Sequence, residues 1–138
     1  MASFAYTSCI EDAAKGAIDF DTDTFYVMLV TSSYTENKDT HTKRSDITNE
    51  ITATGYTTGG KACTVAVAKD TATDRVTVTF QSVNWTGFTG TARKAIYYKS
   101  RGGASSADEL VGVNDFGADV TLTASTFVVA DTILTYQN

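Results

Sequence analysis

The chain opens with one helical stretch and then alternates short period-2 segments with polar and glycine-rich breaks. Over residues 8–18, Ile10, Ala13, Ala14, Ala17 and Ile18 fall near one helical face. Ser8 stands where an N-cap is needed, with Glu11 three residues on, the pattern of a capping box. Gly16 weakens or ends this helix. Residues 21–23 supply a turn, and residues 24–31 (TFYVMLVT) form a continuous apolar run. Such a run predicts a strand that is central or buried on both faces. Residues 32–54 form a long polar loop rich in Thr, Ser, Asn, Asp and Lys, with room for one helical turn over residues 45–50. A loop of that length inside a compact domain often carries a binding role.

From Lys61 onward the pattern is β throughout. Cys63, Val65 and Val67 alternate with Thr64, Ala66 and Ala68, and residues 70–74 read as a hairpin turn. Val76, Val78 and Phe80 then alternate with Arg75, Thr77 and Thr79, and Val83 and Trp85 continue after a bulge. Turns are expected at residues 55–60 and 87–90, a strand over 92–99, and a flexible loop over 100–108 around Gly102 and Gly103. Leu110, Val111 and Val113 make a short strand ending at residues 115–118. Val120 and Leu122, then Phe127, Val128 and Val129, then Ile133, Leu134 and Tyr136 complete seven or eight short strands. The expected fold is all-β, a jelly-roll-like β-sandwich or barrel with a short N-terminal helix and one long polar loop. Residues 1–138 read as a single domain, without internal repeat. A hydrophobic content of 42% supports one real core, and the absence of proline removes kinked helices and polyproline linkers.

The net charge of −5 narrows the partners. It argues against sequence-independent nucleic-acid binding, which needs clustered Lys and Arg, and against docking on an anionic membrane. It favours a basic partner. Cys9 and Cys63 read as buried reduced thiols acting as small hydrophobes, although a disulfide between them stays open. No apolar run approaches the ~20 residues of a helical membrane span. The start, residues 1–6, is too short and polar for a signal segment, so synthesis in a cytoplasm is expected.

Several patterns imitate chemistry. Gly55, Gly60 and Lys61 match a phosphate-binding loop until Ala62, where Ser or Thr should bind magnesium, and the surroundings lack the strand–helix context. Asp19, Asp21 and Asp23 have the spacing of half a calcium loop, but Thr24 and Val30 replace its Gly and Glu, so a solvated turn is the plainer reading. His41, the only histidine, has no nucleophile elbow to serve, and no two carboxylates are singled out for glycoside hydrolysis. Trp85, Phe88, Tyr97 and Tyr98 suit either a ligand platform or a core. Tyr97 and Tyr98 must point to opposite strand faces, one into the core and the other exposed or at an interface. No catalytic, cofactor-binding or metal residue is assigned, and the chain does not read as an enzyme.

The stretch Asp21-Thr22-Asp23-Thr24-Phe25-Tyr26-Val27-Met28-Leu29-Val30-Thr31-Ser32-Ser33-Tyr34-Thr35 continues through Lys38-Asp39-Thr40-His41 and Ser45-Asp46-Ile47-Thr48-Asn49-Glu50-Ile51. With Gly55-Tyr56-Thr57-Thr58-Gly59-Gly60-Lys61 and Ala95-Ile96-Tyr97-Tyr98-Lys99, it resembles a family of small tailed-phage virion structural proteins encoded among head genes. The resemblance implies a capsid decoration or cement protein of the jelly-roll type on the outside of the DNA-filled head. Its implied partners are the major capsid protein and itself, as a homodimer or other homo-oligomer, with no nucleic acid or membrane. The implied location is the virion's capsid surface, after synthesis in the host cytoplasm. The alternative is a tail, baseplate or fibre component acting as a host-binding module. The expected contact segments are residues 32–54, the arm before Ser8 and residues 100–108.

Overall fold

The structure, a computed structural model, describes residues 3–138. Its elements in chain order are β1 (Phe4–Ala5), α1 (Thr7–Ala14), β2 (Phe25–Val30), β3 (Lys61–Cys63), β4 (Val65–Asp70), β5 (Arg75–Phe80), β6 (Val83–Lys99), β7 (Leu110–Val129) and β8 (Thr132–Gln137). Among the described residues the strands form two sheets, ordered β1-β7-β6-β2-β3 and β4-β5-β8, with every pairing antiparallel. The fold is an all-β sandwich with one short helix. Its division is five strands against three.

Strand β2 explains the architecture. Its neighbours are β6 and β3, so it is interior to its sheet, and its side chains divide between two cores. Phe25, Val27 and Leu29 join Val78, Phe80, Trp85, Phe88 and Phe127 between the two sheets. Met28 and Val30 join Tyr6, Tyr34, Ile96, Tyr98 and Leu110 on the outer face. A sheet buried on both faces needs no alternation, which is why residues 24–31 read as one apolar run.

The structure corrects several boundaries. Residues 87–90 and 115–118 are not turns. They lie inside β6, of 17 residues, and β7, of 20. The register slips between Trp85 and Phe88, between Phe88 and Gly90, and between Ala92 and Lys94. Gly87 and Gly117 take positive φ there, so they bend a long hairpin instead of closing short ones. Val83 does not continue β5 after a bulge. The chain crosses at Gln81 and Ser82 from the three-stranded to the five-stranded sheet.

The helix is shorter than predicted, and Ser8 is not its cap. Tyr6 holds that position with no side-chain cap bond. Ser8 lies within the first turn, buried, its hydroxyl without a partner among the described residues. Thr7 spends its own hydroxyl on Asp39, 2.7 Å away. Ile10, expected on the apolar face, is exposed. The expected turn at residues 70–74 joins β4 to β5, and the helical turn in the long loop is a 3-10 turn, Arg44–Asp46.

Candidate functional site

The three segments expected to make contacts meet on the outer face of the five-stranded sheet. In the N-terminal arm, Met1 and Ala2 lie outside the described residues, while Phe4 and Ala5 pair with Val113 and Gly112 of β7. The Tyr6 amide then donates to the Val111 carbonyl (3.0 Å) and the Thr7 amide to that of Lys38 (3.0 Å). Residues 32–54 bond to residues 100–109 through Arg44 N–H on the Asp108 carbonyl (2.9 Å) and the pairing of Lys43 with Glu109. The Leu110 amide donates to the Thr42 carbonyl (3.1 Å).

Side chains lock this platform. The Tyr6 and Tyr34 hydroxyls are 2.8 Å apart, and that of Tyr34 is 2.8 Å from His41 Nδ1. The Asn37 amide also points at that nitrogen, at 3.3 Å. An amide can only donate, so Nδ1 is the acceptor, the ring proton sits on Nε2, and the hydroxyls run donor to acceptor from Tyr6 through Tyr34 to His41. Burial pushes the Tyr34 hydroxyl up to about 12. His41 is therefore a half-buried structural acceptor.

Below the loop lie charges that sequence reasoning missed. Lys94 Nζ donates to the Tyr34 carbonyl (3.1 Å) and to Glu36 Oε2 (2.5 Å), with both side chains buried. Arg44 pairs with buried Asp108 at 2.8 Å, its guanidinium 5.0 Å from the centre of the Tyr98 ring. Arg101 makes a forked contact with Glu109, the shortest at 2.6 Å, and Lys43 approaches the same carboxylate at 3.5 Å. Burial pushes the Glu109 carboxyl up, but Arg101 and Lys43 outweigh it and hold it below the usual range. The two amides of Thr42 and Lys43 hold the Asp46 carboxyl low as well. One signal was available: Lys94 shares a strand face with Ile96 and Tyr98, and a charge on an apolar face needs a buried partner.

The loop over 100–108, expected to be flexible, is tied by these bonds and contains a 3-10 turn, Ser105–Ala107. What the platform shows to solvent is polar: Thr35, Asn37, Lys38, Asp39, Thr40 and Ser45 are all exposed.

The other candidate residues lie elsewhere. In the glycine loop, the Gly59 amide donates to Glu50 Oε1 (2.6 Å), which also receives the Tyr56 hydroxyl (2.7 Å). The Gly59 amide is thus already taken by a carboxylate, and the Gly60 amide donates to the Thr57 carbonyl. Lys61 Nζ donates to the Asn84 carbonyl (2.8 Å), and a strand follows where a helix would be needed. Asp23 pairs with Lys99 at 2.8 Å and accepts the Asp19 amide, while Asp19 accepts that of Asp21. Among the described residues no group of three or more His, Cys, Asp or Glu side chains is placed to hold a metal ion. Cys9 and Cys63 are both buried and free, their thiols pushed up by burial to about 12 and about 11.

Trp85, Phe88, Tyr97 and Tyr98 are all buried and make no surface platform. Tyr97 and Tyr98 do point to opposite faces, but neither is exposed, because residues 32–54 cover the outer face. No helix among the described residues is long and apolar enough to cross a membrane. No protein-family model, curated protein or solved structure matches the chain.

Proposed function

We propose that this chain is a phage capsid decoration or cement protein, bound to the outside of the shell of major capsid protein and stabilising the DNA-filled head. The observation that carries this reading is the platform. Three segments distant in sequence are joined into one polar surface: backbone hydrogen bonds and the Tyr6–Tyr34 contact hold the N-terminal arm, and ion pairs with buried carboxylates tie residues 32–54 to residues 108–109 and to Lys94 of β6. A protein that staples subunits together must hold its contacting groups still, because ordering loops on binding would consume part of the interaction energy. Residues 32–54 and 100–108 are already ordered, so a docked subunit meets a prepared surface.

On this reading the protein acts by linkage. Binding only the assembled shell adds free energy to that state at every occupied site, about 3 kcal/mol per site when free protein is a hundredfold above its Kd. The protein resides on the virion surface, self-associates there at two-fold positions through an isologous contact, and carries out no chemical step. The jelly-roll kinship suggested by the sequence belongs to this same proposal.

The test is cosedimentation with shells that lack the protein, followed by counting copies per particle. Saturable binding over the whole shell with raised heat resistance is the expected result. Binding of a few copies confined to tails would replace this reading with the tail, baseplate or fibre one, and no binding to any particle would overturn it.

A further inference from the structure

Between α1 and the three-stranded sheet lies an open groove of about 650 Å³, lined by none of the platform's exposed residues. The pairing register explains it. On the inner face of β4-β5-β8 the cross-strand rows are Val65–Phe80–Thr132, then Val67–Val78–Leu134, then Lys69–Val76–Tyr136. The inter-sheet core takes the first row and the middle of the second, where Phe80 and Val78 are buried. Beyond it the sheet overhangs. Val67 keeps 44% of its surface exposed and Tyr136 37%, and across the gap α1 turns Ile10 outward at 55%. These are three of the five large apolar side chains left exposed among the described residues, and all three line this one groove. A contiguous patch of this kind on a soluble protein marks an interaction site more often than chance exposure.

The rim selects the occupant. Among the described residues the charged groups lining the groove are Asp19 and Asp21, both exposed and both negative, while Lys69, in the outermost row, lies outside the lining. The Asp19 carboxylate is fixed by the Asp21 amide at 2.9 Å, so one of these charges is held in place at the mouth. A second copy in a two-fold contact would set this acidic rim against itself within a pair already at −5 each. An anionic lipid surface meets the same repulsion. A protein segment with aliphatic side chains flanked by Lys or Arg satisfies both the apolar floor and the carboxylates.

We propose that this groove is a second docking site, taking an amphipathic segment of a partner protein with aliphatic residues on one side and lysine or arginine beside them. Identifying that partner with the shell rests on the capsid reading above; the groove's chemistry does not. Two separate docking surfaces, one polar and one apolar with an acidic rim, would let one copy bridge two neighbouring subunits.

The probe is a fluorescein-labelled amphipathic peptide with leucines on one face and lysines on the other, alongside its glutamate counterpart, read by anisotropy on the full chain. The lysine peptide is expected to bind saturably and the glutamate peptide about tenfold or more weaker. Combined Asp19→Asn and Asp21→Asn should erase that preference. Val67→Asp and, independently, Ile10→Asp should each weaken the lysine peptide by about tenfold or more. Both positions are exposed on different elements, so circular dichroism of each variant should match the parent. A purely electrostatic attraction would instead grow stronger on adding a carboxylate, and that result overturns the proposal. Equal binding of both peptides overturns it too. So does a dimer in sedimentation that Val67→Asp dissociates, which would make a second copy the occupant. Shell cosedimentation of the parent protein tests the capsid reading separately: shells that bind it and its groove variants equally leave that reading standing and remove the groove from it.

Discussion

At Lys94 a charged side chain sits on an otherwise apolar strand face and is held by one carboxylate, Glu36, and one carbonyl, that of Tyr34. Removing either charge leaves the other buried and alone, at a cost of roughly 3–5 kcal/mol. Lys94→Met and Glu36→Leu made singly should each lower stability by about that amount in urea denaturation. The double variant should regain most of the loss, because an apolar pair replaces the ion pair at similar volume. Gly60 is as constrained for a different reason. Its φ is +82°, and a Cβ there would stand 1.9 Å from the Val27 carbonyl oxygen. Gly60→Ala should therefore destabilise well beyond the roughly 1 kcal/mol typical of such changes, with a lower urea midpoint as the readout.

At the level of elements, the bulges in β6 and β7 decide how the hairpin curls over the core. Ala124 lies at the irregular stretch between Leu122 and Ser125 and adopts a φ of 45°, which suits glycine better. Ala124→Gly should stabilise by roughly 0.5–1 kcal/mol, the relief of left-handed strain less the added freedom of the unfolded chain, and raise Tm by a few degrees. Residues 38–44, by contrast, cannot be removed without harm. They accept the Thr7 and Leu110 amides, and Arg44 neutralises Asp108. Contact tests in that loop are better made with Lys38→Glu, which alters an exposed charge only. These elements also mark how far the sequence could be read. The two-sided burial of Phe25–Val30 was legible in an unbroken apolar run, and the hairpin at 70–74 and the sandwich class in the alternating segments and the turn residues between them. The continuity of β6 and β7 did not, because Gly87 and Gly117 leave the same local signature in a bulge as in a turn; only the distant partner strand distinguishes them. The packed long loop was hidden for a similar reason. Its anchors, Tyr34, Glu36 and Ile51, are scattered singly through polar residues and show no period.

For the molecule as a whole, stability should fall at both ends of the pH scale. Glu109, Asp46 and Asp115 have carboxyls held below their ordinary values. Their contribution is complete above the ordinary carboxylate range and is lost as pH falls through their lowered values. At the alkaline end, burial pushes Tyr34, Tyr97 and Tyr98 up to about 12, and pushes Tyr6 and Tyr56 up further. A group raised in the folded state gives full stability below its unfolded pKa, here near 10, and loses it as pH rises toward the folded value. Each contributes about 1.4 kcal/mol per pH unit in that window, so five together should make alkaline unfolding steep. Tm measured across pH should show a plateau from near pH 5 to 8, a decline setting in near 9 as the raised Cys9 and Cys63 thiols begin to favour the unfolded chain, and an abrupt fall above 10, with tyrosinate absorbance appearing in the same step as unfolding. Trp85, the chain's only tryptophan, is buried with its ring 5.6 Å from Tyr56 and 6.3 Å from Phe127, wholly within the inter-sheet core. Its emission is consequently a private reporter of that compartment. The platform on the outer face could loosen without a change in tryptophan colour, and the near-ultraviolet signals of Tyr6, Tyr34 and Tyr98 would register it.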